Sequence, residues 1–124
     1  MRTEWIGYCR GEGLRVDGDI IEVTFANARR HRVKVEELDG AYRLSSVAVP
    51  AKALRNLPDA ALEAWQRNRS MLLVGFRVDD RGRVVGEAWV PKVGLDAEEF
   101  RLYVRTVALE CDRFEFQLTG RDEG

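Results

Sequence analysis

The chain has 124 residues, 45% of them hydrophobic, and its 20 basic and 21 acidic side chains leave a formal net charge of -1. This length suffices for one domain with its own core, and the balanced charge argues against a surface that coats nucleic acid. No apolar run approaches the roughly 20 residues of a membrane-spanning helix, and the first residues lack the apolar stretch of a signal peptide. We therefore expect one cytoplasmic domain over residues 1–124, with a flexible tail at 120–124 and no membrane contact.

The N-terminal part of the chain predicts a short helix followed by three strands. The helix follows Thr3, carries Trp5 and Tyr8, and ends at Gly11 after barely two turns. Residues 14–16 are expected only to lead into the first turn. Alternating apolar and polar side chains then predict strands over 21–25, 31–38 and 41–49, separated by turns at 26–30 and 39–40. Three successive strands joined by short turns form an antiparallel meander.

Apolar residues at helical spacing between Leu54 and Trp65 predict a second helix. Pro58 would cost about 3 kcal/mol inside a continuous helix, so the segment should break there. We expect the main helix to start with Asn56 as its N-cap and to end near Arg69.

Residues 71–90, MLLVGFRVDDRGRVVGEAWV, predict a β-hairpin with its turn at 79–82. Its second strand places Val84, Ala88 and Val90 on one face. Val85 and Trp89 lie on the other face, which we expect to be the less covered one.

The last helix should begin after Asp96, because Asp96 and Glu99 fit a capping box and Leu95 and Phe100 a hydrophobic staple. Helical spacing continues to Cys111, after which Phe114, Phe116 and Leu118 alternate and predict a short extended end. The fold class is therefore α+β: helix, three-stranded antiparallel meander, helix, β-hairpin and helix.

Three parts of the chain carry a resemblance to a known family. They are Asn68 before the strand MLLVGFRVD, the reversal Asp80-Arg81-Gly82, and LDAEEFRLYVRTVALECDRFE. With this element order the chain resembles the YbjN family, bacterial proteins labelled sensory-transduction regulators, from about Ile6 to Leu118. That family has a fold like the type III secretion chaperones. The resemblance implies a non-enzymatic, dimeric protein that holds another protein or an extended segment of one.

The chain shows no catalytic, metal-binding or cofactor-binding pattern. His31 is the only histidine, which excludes a multi-histidine metal site, and a lone histidine between arginines is typical of a solvated strand. A catalytic triad would need Ser45, Ser46 or Ser70 near His31, but none lies in a nucleophile-elbow pattern. We predict that the protein is not an enzyme and needs no cofactor.

The basic run near the second turn is the one candidate phosphate contact. It consists of Arg29, Arg30, Arg32 and Lys34. A solvated hairpin tip explains such a run in a chain of net charge -1, and no aromatic stacking pattern accompanies it. A regulator that contacts nucleic acid through this run is therefore the alternative hypothesis, and an enzyme of unrecognised type is a third.

Large aromatic side chains mark the surfaces that we expect to bind proteins. We predict a homodimer interface at Leu62 and Trp65 of the second helix, and a partner-binding surface at Val85 and Trp89. Cys9 and Cys111 are expected to be reduced, structural and largely buried, and close enough to pair under oxidation if both terminal helices pack on one sheet face.

Overall fold

The computed structural model describes residues 4–54, 64–65, 68 and 73–119. Its helices are α1 (Glu4–Tyr8), α2 (Ala51–Leu54) and α3 (Ala97–Thr119). Its strands are β1 (Leu14–Asp17), β2 (Ile20–Thr24), β3 (Arg30–Leu38), β4 (Ala41–Val49), β5 (Gly75–Val78) and β6 (Val84–Pro91). Ala64, Trp65 and Asn68 also have helical backbone conformations.

The six strands form one antiparallel sheet in the order β1-β2-β3-β4-β6-β5. The first four strands follow each other as a meander. The chain then reaches the far edge of the sheet as β5 and returns as β6, which lies between β5 and β4. Gly40 links β3 to β4 with a φ of 78°, a conformation that a side chain would strain.

The β5–β6 turn is organised by one carboxylate. Asp79 Oδ1 accepts the backbone N–H groups of Arg81 and Arg83 at 3.0 and 2.9 Å, and Oδ2 accepts the Arg83 guanidinium at 2.8 Å. Burial acts to raise the pKa of Asp79, but these hydrogen bonds and the charge of Arg83 outweigh it, so the pKa lies below its ordinary value. The predicted acidic turn is thus a set of local hydrogen bonds.

Helix α3 covers one face of the sheet, which we call the inner face. The N-terminal turn of α3 is capped as predicted, since Glu99 N–H donates to Asp96 Oδ1 at 2.8 Å. Fully buried side chains then recur along α3 at helical spacing: Phe100, Val104, Val107, Cys111 and Phe114. Alternate residues of the strands meet them: Ile21, Val23, Val33, Val35, Tyr42, Leu44, Val84, Ala88 and Val90.

Aromatic rings fix both ends of this contact. The Phe100 ring lies 5.6 Å from the Tyr42 ring in an edge-on arrangement. It lies 5.5 Å from the ring of Tyr8, the last residue of α1. Near the other end, the Phe76 ring of β5 lies 4.8 Å from the Phe114 ring. Ring pairs at these distances add to the stabilisation from apolar burial.

Two parts of the predicted element order are wrong. The meander has four strands, because residues 14–17 pair with β2 as β1. Leu14 and Val16 do alternate with Arg15 and Asp17, but in the sequence this single short alternation indicates only the lead-in to a turn. The C-terminal segment is helical to Thr119, because Phe114 continues the buried stripe of α3. Thr3, Asn56, Pro58 and Leu62 lie outside the described residues. No helix in the described part of the chain has the length and apolar character needed to cross a membrane.

Gly86 of β6 lies directly beneath α3. A Cβ atom at this position would lie 2.5 Å from Cys111 Sγ and 3.0 Å from an edge carbon of Phe76. Both neighbours are buried in the core. The absence of a side chain at residue 86 therefore allows Cys111 of α3 to pack directly on β6.

We predict that Gly86→Ala lowers the free energy of unfolding by about 1–3 kcal/mol, because the added methyl overpacks this contact. Gly75→Ala is the matched control, since a Cβ on that β5 glycine would meet nothing within 4 Å. Urea denaturation of both variants measures the difference. A Gly86→Ala variant as stable as the wild type would contradict the packing described, and adding Cys111→Ala should restore part of the loss.

Candidate functional site

The sheet face opposite α3 is the candidate binding surface, and we call it the open face. Cross-strand pairing places these side chains on it: Ile20, Glu22, Arg32, Lys34, Glu36, Arg43, Ser45, Val47, Arg77, Val85, Glu87 and Trp89. On the open face charged and apolar side chains are interleaved, whereas the inner face is mostly apolar. On such a mixed face an apolar side chain rimmed by polar residues is the typical anchor for a partner.

Trp89 is the largest apolar side chain on the open face, and 55% of its surface is exposed. It pairs across the strands with Arg43, whose guanidinium carbon lies 5.7 Å from the indole ring centroid. Glu36 Oε1 holds the same guanidinium through a hydrogen bond of 2.6 Å. A cation–π contact and an ion pair together therefore restrain the ring of Trp89 in a position open to solvent.

Val85 lies on the open face, as its position in the strand predicts, but only 5% of its surface is exposed. Its cross-strand neighbours are Val47 of β4 and Arg77 of β5. The expectation that Val85 would be as exposed as Trp89 is wrong, because an interior strand position is covered by side chains from both neighbouring strands. Val85 forms part of an apolar floor.

The charges of the open face largely neutralise each other. Besides the Arg43–Glu36 pair, Arg77 Nε donates to Glu87 Oε1 at 3.2 Å, and Arg30 lies 3.6 Å from Glu22. Exposed pairs of this kind add little stability. They do leave the face with both signs of charge instead of a basic patch.

The structure divides the basic run at residues 29–34. Arg29 points inward and pairs with Asp112 of α3, whereas Arg30 pairs with Glu22 on the outside. Arg32 and Lys34 lie on the open face and line a cavity. The four side chains are therefore not presented together.

This cavity opens where β3 and β4 diverge. The paired residues of β3 and β4 run from Leu38–Ala41 to Lys34–Ser45. Beyond that pair, side-chain hydrogen bonds link the two strands. Ser46 Oγ donates to the carbonyl of Arg32 at 2.5 Å, and His31 Nε2 lies 3.0 Å from the carbonyl of Val47. The resulting cavity of about 380 Å³ is lined from the open face by Ile20, Arg32, Lys34, Ser45, Val47 and Val85.

A polar cluster lies below this opening, between the sheet and α3. His31, Asp112 and Glu115 are each at most 3% exposed, and Arg29 forms an ion pair with Asp112. The interpretation of His31 as a solvated strand residue is wrong, because the residue faces inward opposite Val23. Sequence reasoning missed the acids because it ended α3 too early. Had the helix been continued, Asp112 and Glu115 would have fallen beside the buried stripe.

Both cysteines are free and buried, as predicted. Burial raises the pKa of Cys9 to about 11, against the opposing charge of Arg101, and raises the pKa of Cys111 to about 12. Cys9 Sγ donates to the carbonyl of Trp5, and Cys111 Sγ to that of Ser46. Both side chains therefore behave as protonated, inert thiols at neutral pH.

The predicted dimer surface falls on the least described part of the chain. Trp65 is helical and 57% exposed, whereas Leu62 lies outside the described residues. Nearby, the side-chain amide of Asn68 donates to the Phe76 carbonyl at 2.8 Å and accepts the Phe76 N–H at 2.6 Å. These two bonds occupy the outer edge of β5 at Phe76.

No protein-family model matches the chain, and the search of curated proteins finds no match. Solved structures do match. A chain of the heterodimeric ExoU–SpcU complex, from the type III secretion system of Pseudomonas aeruginosa, is similar with a TM-score of 0.64 and 17% identity, covering 98% of this chain and all of that one. This chain has the fold of a type III secretion protein.

Two further matches come from complexes as well. A chain of the ExsC–ExsE complex matches with a TM-score of 0.51 and 15% identity, covering 94% of this chain and 89% of that one. A chain of the HopA1–SchA chaperone–effector complex matches with a TM-score of 0.49 and 14% identity, covering 90% and 88%. The match to the ExoU–SpcU chain confirms the expected secretion-chaperone-like fold, while membership of the YbjN family stays a prediction.

The thiols predict a pH dependence of stability. Their folded pKa values lie above the ordinary 9.0, so the unfolded chain loses these protons first as the pH rises. The stability that burial of neutral thiols provides is present below pH 9 and lost between pH 9 and about 11 to 12. The stability of the wild type relative to Cys111→Ala should therefore shrink as the pH rises from about 9 to 11, measured by urea denaturation at each pH. A constant difference would be inconsistent with titration of this thiol.

Proposed function

We propose that this protein is a non-enzymatic, chaperone-like binding module that holds an extended segment of a partner protein against the open face. Trp89 is the anchor, and the apolar floor at Val85 and Val47 accepts smaller side chains. The observation that carries the proposal is the half-exposed, restrained Trp89 on the sheet face opposite α3. Aromatic side chains held in this way are common anchors of protein interfaces.

The fold supports this proposal. The likeness to a chain of the ExoU–SpcU heterodimer spans essentially the whole of both chains, and that chain is part of a protein–protein complex. Fold alone does not determine function, so the argument depends on the open face of this chain. Membership of the YbjN family and a cytoplasmic location belong to the same proposal.

The charge pattern favours a protein segment over nucleic acid. Arg30, Arg43 and Arg77 are each paired with a glutamate of the same face, and Arg29 is turned inward toward Asp112. Binding to a phosphate backbone would need several unpaired cations in a row. The nucleic-acid alternative stays a prediction that none of these contacts favours.

The face is also a better docking surface than the edge at β5. An added strand needs free N–H and C=O groups along an edge, but both backbone groups of Phe76 are bonded to Asn68. A guest segment on the open face meets side chains instead. We therefore expect its binding to depend on apolar contacts and to survive moderate salt.

The decisive experiment compares partner affinity in two alanine variants. Affinity purification from the native host supplies the partner, and calorimetric titration measures its dissociation constant. We expect Trp89→Ala to weaken binding by about thirtyfold, or about 2 kcal/mol, because the anchor is lost. Val93→Ala is the matched control, since Val93 is 92% exposed but lies in the turn after β6.

Equal affinities for the wild type and a folded Trp89→Ala variant would show that the partner binds elsewhere. So would a loss of the same size in Val93→Ala.

We also propose that the protein is a homodimer, with Leu62 and Trp65 near the interface. The exposed Trp65 supports this, because large aromatic residues are enriched in dimer contacts. Trp65→Glu should convert a dimer into a monomer when molar mass is measured by light scattering at micromolar concentration. A monomeric wild type, or an unchanged dimer in the variant, would refute this placement of the interface.

A further inference from the structure

The polar cluster beneath the β3–β4 opening has the composition of a metal site. Asp112 and Glu115 lie three residues apart on α3 and so project from one side of the helix, and His31 faces them from β3. One nitrogen or oxygen atom from each of these buried side chains lies within 4.8 Å of the others. We propose that His31, Asp112 and Glu115 bind a divalent transition-metal ion, for which imidazole and carboxylate are suitable ligands.

The hydrogen bond of His31 selects the nitrogen that would bind the ion. Nε2 lies 3.0 Å from the carbonyl oxygen of Val47, and a carbonyl can only accept, so Nε2 carries the proton and donates. In the neutral imidazole the lone pair is then on Nδ1. Nδ1 is the atom that faces Asp112 Oδ1, at 4.0 Å. A metal-binding histidine commonly donates its other N–H to a backbone carbonyl in this way.

Asp112 provides a second, independent indication of a cation. Its side chain is 1% exposed, and neither carboxylate oxygen has a hydrogen-bond partner among the described residues, although Oδ2 lies in the ion pair with Arg29. A buried carboxylate oxygen without a hydrogen bond is costly, and a cation bound at Asp112 Oδ1 would remove that cost.

Arg29 acts as an outer partner of the site. It holds Oδ2 of Asp112, which leaves Oδ1 directed toward His31, and its guanidinium lies 5.8 Å from the centroid of the Phe116 ring. Hydrogen-bonding and charged partners behind a ligating carboxylate fix its orientation.

The site has a route from solvent and is near the required size. His31 and Glu115 both line the cavity of about 380 Å³ that reaches the open face, which gives a hydrated ion a way in. Tetrahedral ligands at zinc–ligand distances of about 2.1 Å lie about 3.4 Å apart. Side-chain shifts of about 1 Å bring the three ligand atoms to that spacing.

The test is a titration of the tag-free protein with Zn²⁺ and, separately, with Co²⁺. The visible absorption of bound Co²⁺ reports the type of ligand that surrounds the ion. We expect one equivalent to bind and, at a hundredfold excess over the dissociation constant, to raise the melting temperature by about 5 °C or more. His31→Gln and Glu115→Gln should each weaken binding at least about tenfold. Glu110→Gln should not, since Glu110 lies on the same helix and pairs with Arg113.

Several outcomes would overturn the proposal. These are the absence of stoichiometric binding by the wild type, undiminished binding by folded His31→Gln, and a thiolate-to-cobalt band that assigns the ion to the cysteines. The wild-type cobalt spectrum tests the proposal even where a variant does not fold, because cysteine ligation gives a thiolate-to-cobalt band that imidazole and carboxylate ligation lacks. Partner binding does not enter this experiment, so its result is separate from that of the proposed function.

Discussion

The packing of α3 against a single face of the sheet is the constraint on which the rest of the structure depends. A stripe from Phe100 to Phe114 meets the inward residues of five strands, and Gly86 lets the helix approach until Cys111 touches β6. One helix with one apolar stripe can cover only one face of a sheet. The charged, tryptophan-bearing face opposite α3 is a direct consequence of that arrangement.

The same packing explains the polar cluster. Beyond Lys34 and Ser45 the ladder between β3 and β4 gives way to side-chain hydrogen bonds from His31 and Ser46. The last turns of α3 pass beneath this opening and place Asp112 and Glu115 opposite His31. A region where strands diverge cannot be filled by apolar side chains alone, since the separated backbone groups need polar partners. The opening thus connects a buried, charged cluster with the surface that we propose to bind the partner.

The sequence predicted the parts of this fold that follow from local patterns. Alternation of apolar and polar residues revealed five strands, and the Asp96 cap located the start of α3. The alternation in β6 also correctly placed Val90 on the inner face and Trp89 on the open face. The parts that depend on tertiary contact were missed. β1 has only one short alternation, and its pairing with β2 is what makes it a strand. Phe114 and Phe116 are two residues apart, which is strand spacing, but the structure continues the helix through both. The burial of His31 and Val85 depends on neighbours that are distant in sequence, so no local pattern could reveal it.

The central claim, that a partner segment lies on the open face, is tested most directly by site-specific photo-crosslinking. A photoreactive residue placed at Ser45, in the middle of the open face, should crosslink to the partner. The same residue placed at Leu102, which is 55% exposed on α3, should not. Crosslinking at Leu102 alone, or equally at both positions, would contradict the account.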